Sequence, residues 1–426
     1  MDKHTSVNTS DFLEEKIKAR PVNRKRMWRK LLEVVLFAVI FGLIACFTME
    51  YVAPFLEEKL FPAPVNEVIL TEESAMHTSD EVQPEDMILE AQNEPGRTEE
   101  ENGAEEMLVD MAYVLRKTAL ECQQWMVQVV GVSSETSWLE STKTNENITA
   151  GAIVADNGTE LLILVDKTNL EDADRIEVTF SDGEVVRGFP KGTDAYSDFM
   201  VISVAKNELI ESTLQNYQVA KLGSSNRKSL LGTVVVALGN TNGTVGSINY
   251  GFITGVGLEV SNWDNNYRLI RTDIYSSSKP NGFLVDLNGQ ILGVLCNEYN
   301  NADIKNLLTA VGISDLKKKI EKMSNADDIP VFGVKGTEVT QQAHVQNNIP
   351  YGAYITSVKL NSPAMKAGIQ AGDVIVKLDE KEIDSMLTFS YYLYQIKEGE
   401  QVSVTIMRQS QGIYKESTLK ITVGSQ

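Results

Sequence analysis

Histidine is nearly missing from this sequence. The 426 residues hold three, His4, His77 and His344, and none lies from Thr78 to Ala343. Chemistry that needs an imidazole base near neutral pH therefore has no candidate in the middle of the chain. Cysteine is equally scarce, at Cys46, Cys122 and Cys296, with no C-x-x-C pair. That spacing excludes a zinc ribbon and a thioredoxin-type redox motif. Cys46 lies in an apolar run, so at most one pair remains, and Cys122 and Cys296 read either as a bridge or as two unpaired buried thiols. Positive charge is in deficit: 39 Lys and Arg against 59 Asp and Glu give a formal net charge of -20. Nucleic acid is thereby excluded as a partner, because phosphate binding needs a basic surface. No metal site or cofactor is read anywhere.

What is present is unevenly distributed. Residues 1–30 are polar and end in a basic cluster that includes Arg24, Lys25, Arg26, Arg29 and Lys30. An apolar run follows over residues 31–54, with a charge-free stretch from Val34 to Met49. As a helix that stretch spans about 24 Å, somewhat short of the ~30 Å hydrocarbon core. Glu33 and Glu50 can snorkel at its ends, and Trp28 and Tyr51 suit the interfaces. A buried soluble helix and a cleaved signal peptide compete with this reading, but no A-x-A site follows the run. A retained single span is expected, with residues 1–30 cytoplasmic and the folded part extracytoplasmic by the positive-inside rule. Residues 55–106 are acidic and poor in aromatics, with sixteen Asp and Glu between 56 and 107 against Lys59 and Arg97. They read as a disordered, self-repelling linker.

From about residue 107 to 123 the pattern is helical. The chain then breaks into short β-prone runs, among them WMVQVVGV, ELLILV, FMVISV, GTVVVALG and ILGVLC. Asn157-Gly158, Asp182-Gly183 and Asn288-Gly289 are hairpin turn signals between them. Many short strands with regular turns predict an all-β barrel or sandwich.

Three separated segments carry a resemblance. They are IEVTFSDGEVVRGFPKGTDAYSDFMVISV (176–204), VVALGN…GTVGSINYGFITGV (235–256) and TDIYSSSKPNGFLVDLNGQILGV (272–294). In order and wording they resemble the trypsin-like domain of the HtrA/Deg family of serine proteases. Residues 331–424 resemble the PDZ domain that follows it there, above all GAYITSVKLNSPAMKAGIQAGDVIVKLDEKEI (352–383). The resemblance implies a mostly β chain: a trypsin-like double β-barrel over 107–324 and an α+β PDZ domain over 325–426, after one transmembrane helix and an acidic linker.

Acyl transfer by a serine protease needs a nucleophile, a base, an orienting acid and N–H donors for the oxyanion. The resemblance places the acid at Asp198. It places Thr168 in the position of the histidine, and a slip of one residue reaches Lys167 or Asn169. The family's G-N-S-G-G reads Ser278-Lys279-Pro280-Asn281-Gly282, with Pro280 in the position of the serine. A gap placed differently brings Ser278 or Ser277 near the site. Pro280 has no N–H to offer the oxyanion, and Ser278 replaces a glycine of positive φ. The expected protein is therefore a pseudoprotease. Lys167 with Ser278 as an atypical Ser–Lys site stands as the alternative, and a structural envelope protein as another.

Ser362 is the expected N-cap of a short PDZ helix, with Pro363 at its first turn. PDZ domains bind polypeptide C-termini by β-augmentation, with the carboxylate in a backbone nest. The matching nest is Val331-Phe332-Gly333-Val334, faced by a helix near 386–396 with Phe389 and Leu393. Those apolar side chains read equally well as core. The expected partners are polypeptide C-termini or unfolded proteins. The resemblance also implies a homo-oligomer (a trimer) or a hetero-oligomer with an active relative.

Overall fold

The computed structural model describes residues 66–70, 103–132, 148–168, 170 and 173–425. The basic tail and the apolar run of 31–54 lie outside them, so the expected membrane span does too. No helix among the described residues is long and apolar enough to cross a membrane.

Helix α1 (Gly103–Cys122) begins four residues before the expected start, at the glycine. It buries Leu115, Ala119 and Cys122. Twelve strands follow. The first six are β1 (Met126–Val132), β2 (Ile148–Asp156), β3 (Glu160–Asp166), β4 (Arg175–Thr179), β5 (Val185–Thr193) and β6 (Phe199–Ala205). They close a barrel in the order β1-β2-β3-β6-β5-β4. After helix α2 (Glu211–Asn216) come β7 (Val234–Asn240), β8 (Ser247–Asn262), β9 (Asn265–Tyr275), β10 (Asn281–Val285), β11 (Ile291–Leu295) and β12 (Leu307–Gly312). They close a second barrel in the order β10-β11-β12-β9-β8-β7. Closure leaves neither barrel a free sheet edge. The sequence pattern missed β12, LLTAVG, a short apolar run that periodicity alone does not tell from a buried helix segment.

The three turn dipeptides sit where expected, joining β2 to β3, β4 to β5 and β10 to β11. Asn157-Gly158 shows why: Gly158 takes φ 97°, and the Asn157 side chain accepts from the N–H groups of Thr159 and Glu160. A β-carbon is disfavoured at that φ.

Each barrel has an apolar cluster of its own, and a third cluster joins the two. Trp125 meets Phe283 edge-on across it, with ring centroids 5.9 Å apart. Leu162, Leu164, Leu238 and Val285 belong to the same cluster. Two parts of the stretch that reads as a linker are structured: the start of α1, and residues 66–70. In the latter, Val68 is buried, its N–H and C=O both pair with the Asn325 side chain, and Asn66 donates to the Asn157 carbonyl.

Helix α3 (Lys317–Asn325) leads into the C-terminal domain. There β13 (Pro330–Val331) pairs with β20 (Gly424–Ser425). The main sheet runs β14 (Val334–Glu338), β15 (Ala353–Val358), β16 (Val374–Leu378), β18 (Gln401–Ser410), β19 (Ile413–Thr422), with β17 (Lys381–Glu382) on β16. Its helices are α4 (Gln341–Asn347), α5 (Pro363–Ala367) and α6 (Met386–Leu393). Ser362 caps α5, accepting from the Met365 N–H at 3.1 Å, and Pro363 opens it. Strand β14 is one of the sheet's two outer strands, and α6 packs beside it so closely that a Cβ on Gly336 would lie 2.5 Å from the Met386 sulfur.

Candidate peptidase and peptide-binding sites

The ends of β3 and β6 bring Thr168 and Asp198 onto neighbouring segments. Asp166 pairs with Phe199, and the Lys167 N–H donates to the Asp198 carbonyl at 2.7 Å. Thr168 and Asp198 are both exposed. The Lys167 ammonium turns to the Asp194 carbonyl at 3.1 Å. Burial and the nearby Asp198 carboxylate push the Glu298 carboxyl above its usual value, against the pull of Lys335. An imidazolium is what such a carboxylate stabilises in a working triad.

Pro280 is buried just before β10, while Ser278 is exposed. The segment ahead of it is tied down. Ser276 and Ser277 donate their N–H groups to the carbonyls of Asn306 and Thr241, and Asn297 Nδ2 bonds Ser276 Oγ at 2.7 Å and the Ser277 carbonyl at 3.2 Å. Six described residues other than glycine have positive φ, and Ser278 is not among them. Asn281, at a glycine position of the family motif, reaches across to the first barrel, and its Oδ1 accepts from the Ala150 N–H at 2.8 Å. Gly282 must be glycine: at φ 130° a Cβ would lie 2.0 Å from the Leu238 carbonyl oxygen. A cleft of about 260 Å³ opens elsewhere, lined by Met126, Gln128, Ala150, Phe180, Leu238 and Gly239 among others, and by none of Thr168, Asp198, Ser278 and Pro280.

Cys122 and Cys296 are free thiols, and burial pushes both up to about 12. Among the described residues no cluster of His, Cys, Asp or Glu has the make-up of a metal site.

A buried polar network joins the barrels to the C-terminal domain. Asp194 is fully buried and pairs with Lys319 of α3, Nζ to Oδ2 at 2.6 Å. Asp194 also accepts from Ser197 Oγ and the Tyr196 N–H. Lys319 donates to the Tyr267 hydroxyl at 3.0 Å and lies over the Tyr394 ring just beyond α6. Burial works to raise the Asp194 carboxyl, but Lys319, Ser197 and Tyr196 outweigh it and hold the group below its usual value.

The sequence-predicted peptide site is assembled at one place. Val331, Phe332, Val334, Phe389 and Leu393 are all buried; Phe332 packs edge-on to Phe389 at 5.5 Å, and Gly333 turns the chain at φ 81°. The nest is filled. Asp264, at the tip of the β8–β9 hairpin, takes the N–H groups of Phe332, Gly333 and Val334 on its carboxylate at 2.8 to 3.1 Å. Burial pushes this carboxyl up to about 6, against those three donors and Lys319. Neither Asp264 nor Asn281 stands out in the sequence. Asn281 could have been found as a departure from glycine; Asp264 is one polar turn residue among several, and only folding carries it to the nest.

Comparison with known proteins follows the same division. Residues 144–294 match the trypsin-like peptidase domain family, and residues 323–423 match the PDZ domain family. The serine protease Do-like HtrB of Bacillus subtilis is 24% identical over 296 residues, covering 65% of this chain and 62% of that protein. The serine endoprotease DegS of Haemophilus influenzae is 28% identical over 267 residues, covering 62% and 74%. A serine protease HtrA-like of Staphylococcus aureus is 24% identical over 325 residues, covering 72% and 41%. The chain thus spans less than two thirds of the Bacillus and Staphylococcus proteins. In fold, the serine endoprotease from Yersinia pestis superposes with TM-score 0.50 at 19% identity, covering 73% of this chain and 98% of that one. The HtrA-type protease AlgW with tripeptide gives 0.51 at 18%, covering 73% and 97%. With a trypsin-like peptidase domain and a PDZ domain in this order, the chain is similar to the HtrA/Deg-type serine proteases.

Proposed function

We propose that this protein is a membrane-anchored, extracytoplasmic HtrA-like pseudoprotease that captures C-terminal or unfolded polypeptide segments through its PDZ domain. One observation carries the loss of activity: no histidine exists between residues 78 and 343, and the positions of the base and the nucleophile hold Thr168 and Pro280. Threonine cannot take a proton at neutral pH, and proline offers neither a hydroxyl nor an N–H for the oxyanion. Triad members act as a unit, so loss of the base alone removes most turnover. The neighbourhood of the site supports this reading. The segment before Pro280 is bound in other hydrogen bonds, and Asn281 occupies the seam between the barrels. The anchoring role rests on the apolar run of 31–54 and the basic cluster before it. A scaffold in quality control, alone as a trimer or mixed with an active relative, is the role such a molecule would fill.

The test is fluorophosphonate labelling together with digestion of casein. The wild-type chain should show neither. Labelling that disappears in Ser278→Ala would overturn the pseudoprotease reading and favour a Ser–Lys enzyme. Failure of every free C-terminal peptide to bind, in the wild type and in the variants described next, would remove peptide capture and favour a structural envelope role.

A further inference from the structure

The carboxylate nest of the PDZ domain is occupied by the protein's own second barrel. The occupant is the end of β8 with the turn that follows it, which touches β14 at Val334 and Gly336. Asp264 sits at the nest and gives its own N–H to the Val334 carbonyl at 2.7 Å. Two residues along β14, the Gly336 carbonyl accepts from Ser261 Oγ at 2.9 Å. Positions 264 and 261 thus meet 334 and 336, an antiparallel order. One main-chain bond, one side-chain bond and the filled nest follow the direction of β-augmentation, in which an added strand bonds the edge and its terminal carboxylate fills the nest.

The helical wall takes part. Ser390 of α6 donates its hydroxyl to the Asp264 carbonyl at 2.8 Å. Trp263, next in the turn, lies beneath the Lys335 ammonium at 4.9 Å from the ring centroid. Asn262 donates to the Tyr196 carbonyl, and the Lys359 ammonium lies 4.0 Å from the Tyr196 ring. Asp264 itself takes φ 58°, an unfavoured conformation for a residue with a side chain. The turn holds it with contacts on both walls of the groove.

We infer that the β8–β9 hairpin is a built-in competitor for the PDZ ligand, with the Asp264 side chain standing in for a peptide's terminal carboxylate. A free C-terminus gains the three N–H donors only when Asp264 leaves them. The hairpin tip also holds the 194–198 segment through the Tyr196 carbonyl. This inference rests on the peptide-capture reading above and specifies how that site is controlled. A ligand-competent state that is rarely populated reduces apparent affinity by its fraction, so freeing the nest raises affinity without any new contact.

The experiment uses the chain from residue 66 onward and a pool of fluorescent hexapeptides, each made with a free C-terminal carboxylate and as the C-terminal amide, read by anisotropy. In Asp264→Ala the best carboxylate peptides should bind roughly tenfold or more tighter than to wild type, if wild type has the nest open a tenth of the time or less. The amides should not gain. Ser390→Ala, which loosens the turn but leaves nest and carboxylate intact, should move affinity in the same direction by about threefold, the effect expected of one neutral hydrogen bond. It also carries the test if Asp264→Ala does not fold. Peptides that bind wild type and variants equally, or amides that gain as much as acids, overturn the competitor while leaving capture standing. Absence of binding to every variant overturns capture itself, and the competitor with it.

Discussion

Lys319→Met tests the buried network that ties the barrels to the PDZ domain. Methionine keeps the length of the side chain and removes the ammonium. Asp194 then loses its 2.6 Å partner and keeps Ser197 Oγ and the Tyr196 N–H. Both groups of the pair are fully buried, at 0% and 2% side-chain exposure, so no water replaces the lost charge. Removing one partner of such a pair costs about 3–5 kcal/mol, because the other is left as an uncompensated buried charge. For the unit Val65–Gln426, at about 2.1 cal/mol/K per residue, that corresponds to a fall in Tm of roughly 4–7 °C. Asp194→Asn/Lys319→Met removes both charges and should recover most of the loss, since a buried pair replaced as a whole is close to neutral. The assay is thermal unfolding of wild type, the two single variants and the double variant, repeated from pH 4 to 8. In wild type the Asp194 carboxyl is held below its ordinary value. Its contribution is therefore present above the unfolded pKa and is lost as pH falls through the lower folded value. In Lys319→Met the balance reverses, burial dominates, and the carboxyl rises, so the deficit of the variant should shrink as pH falls toward 4. A deficit below about 1 kcal/mol, or one that is flat with pH, would refute the view that Lys319 serves to neutralise Asp194.

Three further outcomes follow from particular contacts. Asn281→Ala leaves the buried Ala150 N–H without its acceptor and should cost about 1–3 kcal/mol, read as a lower Tm, with no gain of fluorophosphonate labelling. Gly282→Ala puts a Cβ 2.0 Å from the Leu238 carbonyl at a positive φ, so the second barrel should not close, and the variant should be insoluble or lack the near-UV spectrum of the wild type. The Cys122 and Cys296 thiols are pushed up to about 12 from 9.0, so their alkylation by iodoacetamide at pH 8, followed by mass spectrometry, should run roughly a thousandfold slower than for an unshifted thiol, in proportion to the thiolate fraction. Rapid modification of Cys296 would show that its surroundings open in solution.

Much of this molecule is written locally in its sequence. Turn dipeptides such as Asn157-Gly158, the alternating runs between them and the Ser362-Pro363 cap act over a few residues, so the double barrel and the PDZ domain could be read before any coordinates. The absence of histidine from residues 78 to 343 could be read as well, because it is a matter of which residues are there. Other features depend on segments far apart in the chain. Strand β12 is a short apolar run that periodicity alone does not tell from a buried helix segment, and residues 66–70 read as part of a solvated spacer until Asn325, more than 250 residues away, pairs with Val68. Lys319 looks like one surface lysine in a run of three, and only the packing of α3 against the barrels delivers it to Asp194. The residues of the peptide nest were legible, but that the nest is filled was not. The Asp264 carboxylate reaches Phe332, Gly333 and Val334 across about 70 residues, and no local pattern records which distant donors a turn aspartate will meet. Sequence alone determined the two domains and the absence of histidine from residues 78 to 343; the tertiary structure decided that the Asp264 carboxylate takes the N–H groups of Phe332, Gly333 and Val334, because a hydrogen bond is fixed by position in space and not by position in the chain.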